Sequence, residues 1–287
     1  MRVGLGLPNP IPGTPAPVLV EWAREAEAAG FSTVATIDRV AFPTHDSLTT
    51  LAAAAVATER IGLATNVLLA PTRSPALLAK AVATVDELSG GRLTLGLGVG
   101  GRIDDYAAVG GSFSKRGAQF DALLATLSAA LTGAPVMGSP EPVVSAPRAV
   151  PLLIGGAGRR AIRRAARWGA GWTVGGAGPV VVERGVAALA AEWTRAGRPG
   201  APRVVALAYA GLGRLARSGL DDYLRRYYRY LSELNGAERE AELAGTSAGS
   251  PSGPGAGPVE GILADVLRTP AAIRGACATT PRPEPTS

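Results

Sequence analysis

Along the first 210 residues, short runs rich in leucine and β-branched residues alternate with longer alanine-rich stretches whose apolar positions recur at helical spacing. The runs Arg2–Leu7, Thr33–Ile37, Ile61–Leu68, Leu93–Val99, Pro151–Gly155, Gly171–Val174 and Arg203–Ala208 predict strands. Helices are predicted between them, near residues 15–29, 46–59, 74–89, 115–132, 157–168 and 180–196. The strand runs are apolar at successive positions, as in strands covered on both faces. Strands alternating with helices build right-handed βαβ units around a parallel sheet. The seven units are too many for a small doubly wound domain, and an eight-fold barrel takes ~250 residues. The predicted fold is α/β, a (β/α)8 TIM barrel, with an open doubly wound sheet as the alternative.

Gly30, Gly90-Gly91 and Gly133 fall where a left-handed residue closes a helix. Residues 134–150, rich in Pro, Gly and Ser, read as a long loop before the fifth strand. Towards the C-terminus, the spacing of Tyr223, Tyr227, Tyr230, Leu231 and Leu234 predicts a helix over 219–235. Residues 245–258 are low in complexity, 259–268 suit a short helix, and 279–287 are too Pro-rich for regular structure. The expected organisation is a barrel domain over 1–240 and a largely disordered tail over 241–287. No eighth strand pattern stands out, so the last βα unit is expected to be degenerate or missing.

Composition narrows the function. The 287 residues are 47% hydrophobic and 18% charged, enough to bury a sizeable core. One cysteine, Cys277, excludes an internal disulfide framework, and one histidine, His45, excludes a His-cluster metal site. No apolar run approaches the ~18 residues that span a bilayer, and no signal-peptide core is present, so a soluble cytoplasmic protein is expected. The 29 basic and 23 acidic residues leave a net charge of +6, and Lys80 and Lys115 are the only lysines. The arginine excess fits either biased coding composition or the capture of an acidic ligand. The cations do not cluster with interleaved aromatics, which argues against nucleic acid as a partner.

The stock of catalytic side chains is small. There is no second His for a relay, no Gly-x-Ser-x-Gly elbow and no P-loop lysine. Such a protein either binds without reacting or takes its reactivity from a cofactor. Gly96-Leu97-Gly98-Val99-Gly100-Gly101 formally matches a dinucleotide fingerprint with Asp121 downstream, but residues 102–114 read as a loop where the helix should begin. Glycine at the C-terminal mouth of a barrel strand, admitting a flat or phosphorylated ligand, is the better reading. Gly155-Gly156-Ala157-Gly158 ends a strand and opens a helix, a natural anion site. On that helix Arg159, Arg160, Arg163, Arg164 and Arg167 share one face; only Arg159 and Arg160, in the first turn, are placed to reach a phosphate. Asp38 and Arg39 follow strand two, and Thr65-Asn66 interrupts strand three as either a satisfied core pair or a bulge. His45, before a helix with Asp46, reads as a surface residue.

The ordered motifs resemble the luciferase-like flavin- and F420-dependent oxidoreductases. The matching segments are residues 26–34, 58–67, 71–80, 86–100, 155–158 and 169–172, with Thr58-Glu59-Arg60-Ile61-Gly62-Leu63-Ala64-Thr65-Asn66-Val67 and the run to Gly100 the most specific. The resemblance implies a (β/α)8 barrel holding coenzyme F420, or alternatively FMN, at the C-terminal ends of its strands. Asp38 would lie beside the ring system, and Asn66 and Val67 would form the bulge backing it, often through a non-prolyl cis peptide. Gly98, Val99 and Gly100 would line the ring or its ribityl chain, and the amides of Gly155, Gly156 and Gly158 would take the phosphate. Asp38 and Arg39 are the candidate catalytic residues. Several F420-dependent relatives carry His where this chain has Arg39, so a proton-shuttling imidazole is missing. Three functions are weighed: hydride transfer between F420 and a small organic substrate, an FMN-dependent monooxygenase served by a flavin reductase, and a degenerate barrel that only binds. Homodimers are common among such relatives.

Overall fold

The structure, a computed structural model, describes residues 2–176, 178–211 and 216–229. Seven strands form one sheet in which every neighbouring pair is parallel. They are β1 (Leu5–Gly6), β2 (Thr33–Thr36), β3 (Gly62–Leu69), β4 (Leu93–Gly98), β5 (Leu152–Gly155), β6 (Gly171–Gly175) and β7 (Arg203–Leu207). Their spatial order is the sequence order, β1 through β7. A doubly wound sheet would reverse its order at a switch point. No reversal occurs, so the open-sheet alternative falls and the barrel arrangement stands.

The helices are α1 (Ala16–Ala28), α2 (Ser47–Ala57), α3 (Pro75–Leu88), α4 (Ile103–Ala107), α5 (Arg116–Leu131), α6 (Arg159–Trp168), α7 (Pro179–Arg195) and α8 (Ala216–Tyr227). Their starts have local causes. The Asp46 carboxylate accepts the Thr49 amide at 2.9 Å and caps α2, while proline opens α1, α3 and α7, where its missing N–H costs nothing. Left-handed glycines at 30, 90 and 133 end three of the helices, as their positions predict. Leu51, Val82, Leu124, Leu127 and Ile162 turn inward onto Leu63, Leu93, Leu95, Ile154 and Trp172, and this helix–sheet layer is the main core.

Two side chains tie the N-terminal ends of the strands together. Glu27 accepts the amides of Glu59, Arg60 and Ile61, at 3.1, 2.6 and 2.8 Å. Arg92 donates to the carbonyls of Ala55, Thr58, Ile61 and Ser89, all at 2.6–2.8 Å, closing the loop between α2 and β3. Among the described residues, no helix is long and apolar enough to cross a membrane.

Segment 102–114, predicted as loop, contains the short helix α4. It is held by tertiary contacts that override weak local propensity: the Tyr106 hydroxyl donates to the Val99 carbonyl at 2.5 Å, and Asp105 is buried against Arg39. Residues 134–150 are loop, as expected. The predicted helix over 219–235 begins earlier, at Ala216, and ends at Tyr227, with 228–229 in a turn; what lies beyond 229 is outside the described residues, as are the expected tail, the short helix over 259–268, Cys277 and any eighth strand.

Candidate active site

The C-terminal half of β3 departs from regular pairing with β4, its register shifting between Thr65 and Leu68. Inside that shift the Asn66–Val67 peptide bond is cis. Thr65 and Asn66, for which a satisfied core pair and a bulge were both open, turn out to divide the two roles. The Thr65 hydroxyl donates to the Gly96 carbonyl at 2.7 Å, while Asn66 forms the bulge and accepts the Thr173 hydroxyl of β6 on Oδ1 at 2.8 Å.

Val67 explains the glycines. A Cβ at Gly98 would stand 2.7 Å from Val67 Cγ2, and one at Gly155 would stand 2.7 Å from Val67 Cγ1. Gly100 is likewise crowded by Leu69, 2.9 Å from where its Cβ would be. The direction expected to face a ligand at Gly98 is therefore filled by the bulge itself, and so is the Cβ direction of Gly155, which was expected to offer its amide to a phosphate. These glycines serve the site by letting the bulge sit deep between β4 and β5.

Asp38 and Arg39, at the end of β2, are both committed. Asp38 is 3% exposed; its Oδ2 accepts the Leu69 amide at 2.9 Å, and its carboxylate pairs with Arg73 at 2.9 Å. Arg73 also reaches Asp46 at 3.1 Å. Burial lifts the Asp38 carboxyl above its ordinary range, against the pull of Arg73 and the Leu69 amide. The geometry makes Asp38 a strut holding the chain just past the bulge, not an acid facing open space. Arg39 lies in a buried pair with Asp105 at 2.8 Å and bonds Asp104 at 3.0 Å. Asp105 Oδ1 in turn accepts the amides of Val40 and Ala41, both at 2.8 Å. With its guanidinium committed to two carboxylates, Arg39 as a catalytic candidate offers position and charge.

At the end of β5 the Gly156 amide is already used, donating to the Thr173 carbonyl at 3.2 Å, and the Gly156 carbonyl accepts Trp172 Nε1 at 2.6 Å. Of the expected phosphate donors, Gly156 is thus absorbed by the sheet. The amides of Ala161 and Ile162 both return to the Gly158 carbonyl, so those of Gly158, Arg159 and Arg160 precede the first intrahelical bond. Gly158 has no side-chain cap and nothing within 4 Å of its Cβ position. Arg159 and Arg160 are exposed, whereas Arg164 is bound to Asp121 at 2.6 Å and Arg163 lies 3.6 Å from Glu192. Asp121 therefore belongs to a surface ion pair between α5 and α6, which removes it as a ribose-binding acid. His45 Nε2 lies 2.8 Å from the Thr14 carbonyl.

α8 crosses the same end of the sheet. Tyr227 packs edge-on against Phe42 at 5.7 Å and receives the guanidiniums of Arg39 and Arg102 over its ring at 5.5 and 4.3 Å. Arg102 also donates to the Tyr227 carbonyl at 2.9 Å. The Tyr209 and Tyr228 hydroxyls lie 2.7 Å apart. The Tyr223 hydroxyl is buried and has no hydrogen-bond partner among the described residues.

These features fit a planar, phosphorylated coenzyme: a distorted strand end packed against glycines, and an uncapped helix start whose first three amides have no partner among the described residues, with two exposed arginines beside it. The luciferase-like monooxygenase profile matches residues 1–273. The chain belongs to that family. Uncharacterized relatives from Mycobacterium tuberculosis are 29% identical over 241 residues, covering 70% of this chain and 82% of theirs. Another relative from that organism, whose name proposes a coenzyme F420-dependent oxidoreductase, is 30% identical over 206 residues, 64% of this chain and 57% of its own. Among solved structures, an F420-dependent secondary alcohol dehydrogenase carrying an F420–acetone adduct superposes with a TM-score of 0.75 at 16% identity, covering 97% of this chain and 89% of its own. The oxygenating constituent of 3,6-diketocamphane monooxygenase from Pseudomonas putida, bound to FMN, gives 0.71 at 18%, covering 96% and 86%. At these identities the structures establish the shared fold.

Sequence reasoning missed Arg73, Asp105 and Thr173. Arg73 carried a faint signal, as a lone cation between Pro71 and Pro75. The other two carried none, because their roles depend on partners 66 and 107 positions away.

Proposed function

We propose that this family member is an F420-dependent oxidoreductase, transferring a hydride between coenzyme F420 and a small organic substrate at the C-terminal end of its strands. The observation that carries the reading is the Asn66–Val67 bulge, braced from below by Gly98 and Gly155 and from behind by Asp38 and Thr173. With Asp38 and Arg39 both tied into ion pairs, the reactivity would come with the coenzyme, which when bound would give up the hydride in its reduced form or accept it in its oxidised form.

This chain's residues bind, orient and enclose. The bulge offers a shaped wall for a planar ring. The amides of Gly158, Arg159 and Arg160 suit a phosphate, and their helix start favours negative charge. F420 carries a phosphodiester and an acidic tail, and exposed Arg159 and Arg160 suit such a ligand better than a neutral one. Phe42, Tyr223 and Tyr227 present rings beside this end of the sheet and would exclude water from a substrate held there.

FMN is the second reading, favoured by the FMN-bound monooxygenase of the same fold and by a helix start that suits a phosphate monoester equally well. Titrating the purified protein into F420 and into FMN, each followed by its own fluorescence, tests both. Saturable quenching of F420 at tens of micromolar or below, with weaker FMN binding, is expected. Binding of FMN alone would favour the second reading, and no saturable change with either would overturn both.

A further inference from the structure

Thr173 sits on β6, 1% exposed, with its hydroxyl on the bulge and its carbonyl on the α6 loop. The hydroxyl donates to Asn66 Oδ1, the acceptor end of that carboxamide, at 2.8 Å. Asn66 is half-buried, and its Nδ2 group donates to no acceptor among the described residues. An amide whose oxygen is engaged on one side must turn its two N–H donors to the other. The Thr173 carbonyl meanwhile takes the Gly156 amide at 3.2 Å, and Trp172 next to it donates to the Gly156 carbonyl at 2.6 Å. One short stretch of β6 therefore joins the ring-facing bulge to the loop that begins the anion-binding helix.

We infer that Thr173 is a positioning residue: it fixes the flip of the Asn66 carboxamide so that its N–H groups face a carbonyl or ring-nitrogen acceptor on the coenzyme, and it ties that wall to the α6 loop. The inference rests on the coenzyme reading above and deepens it by naming the donor and the residue that aims it. Without the Thr173 hydroxyl, the carboxamide is free to rotate, presenting oxygen to oxygen for part of the time. The ligand chemistry this selects is a planar heterocycle bearing an acceptor at its edge. A hydrocarbon-edged ring would gain nothing from it.

The test measures coenzyme dissociation constants, bound-state absorption spectra and thermal midpoints for wild type, Thr173→Val, Thr173→Ser, Asn66→Ala and the double variant Asn66→Ala/Thr173→Val, with F420 and with FMN. Thr173→Val preserves the shape of the buried residue, and Thr173→Ser restores only the hydroxyl. The expected result is about a tenfold weaker coenzyme affinity for Thr173→Val, the worth of one well-made hydrogen bond, with a shifted bound spectrum. Thr173→Ser should return affinity and spectrum to near wild type, and the double variant should bind no more weakly than Asn66→Ala alone. Wild-type affinity in Thr173→Val, no rescue by Thr173→Ser, or additive losses in the double variant would each overturn the inference while leaving the coenzyme reading intact. Failure of the wild type to bind either coenzyme would overturn both together.

Discussion

The Val67 side chain occupies the place where Gly155 would carry a Cβ: the two positions are 2.7 Å apart, well inside contact. Val67 Cγ2 stands in the same relation to Gly98 on the neighbouring strand. The glycines and the valine are thus one packing unit shared by β3, β4 and β5. Introducing a methyl at Gly155 must displace Val67 or the strand, at a cost of about 1–3 kcal/mol for overpacking a dense interior. Gly155→Ala should lower the thermal midpoint and weaken coenzyme binding. Adding Val67→Ala should recover stability, because it vacates the contested space. A double-mutant cycle by denaturant unfolding checks this coupling, and simple additivity would count against it.

Arg39 and Asp105 form a buried pair that closes the end of β2 onto α4. Removing the Asp105 charge leaves buried Arg39 with only the exposed Asp104 as counter-charge, a loss of at most about 3–5 kcal/mol. Asp105→Asn should therefore destabilise strongly and also loosen Val40 and Ala41, whose amides it accepts. Hydrogen exchange at those two amides, together with urea unfolding, reads both effects.

Arg92 donates to four carbonyls around the loop leading into β3. A methionine there keeps the stem but orphans acceptors that a charged donor satisfied, a loss of roughly 3 kcal/mol or more. Lysine, with a single ammonium, cannot reproduce a fork that reaches several carbonyls. Arg92→Met and Arg92→Lys should both lower the unfolding midpoint, Met further, as measured by urea titration.

The bonds from the Ile61 and Arg60 amides hold the Glu27 carboxyl below its ordinary range, outweighing its slight desolvation. A depressed carboxyl contributes stability that is fully present above its unfolded pKa and is lost as pH falls through the folded one. Wild-type stability should therefore decline with acid below about pH 4.5, partly through this group. Glu27→Gln should be less stable at neutral pH and flatter over the acid limb. Thermal midpoints from pH 7 to pH 3 give the comparison, and parallel curves would contradict it.

Much of the fold was legible because strands covered on both faces leave continuous apolar runs, and because Gly30, Gly90 and Gly133 mark helix ends by a conformation that few other residues adopt. The third-strand irregularity at Asn66 was legible because a polar residue interrupts an apolar run. The glycines at 98 and 155 were visible but their purpose was not: their neighbour is a valine on another strand, and register is a tertiary property. The same holds for Arg39–Asp105, Asp38–Arg73 and Asn66–Thr173, each a long-range pair made by the sheet's alignment. α4 escaped notice because its five residues are held through Asp105 and Tyr106 by partners outside the helix, Arg39 and the Val99 carbonyl.

A crystal structure of the protein with F420 bound bears most directly on the whole account. The ring is expected against the Asn66–Val67 bulge and the phosphate within hydrogen-bond distance of the Gly158, Arg159 or Arg160 amides. Density for the ring elsewhere, or a phosphate held only by side chains remote from the start of α6, would contradict it.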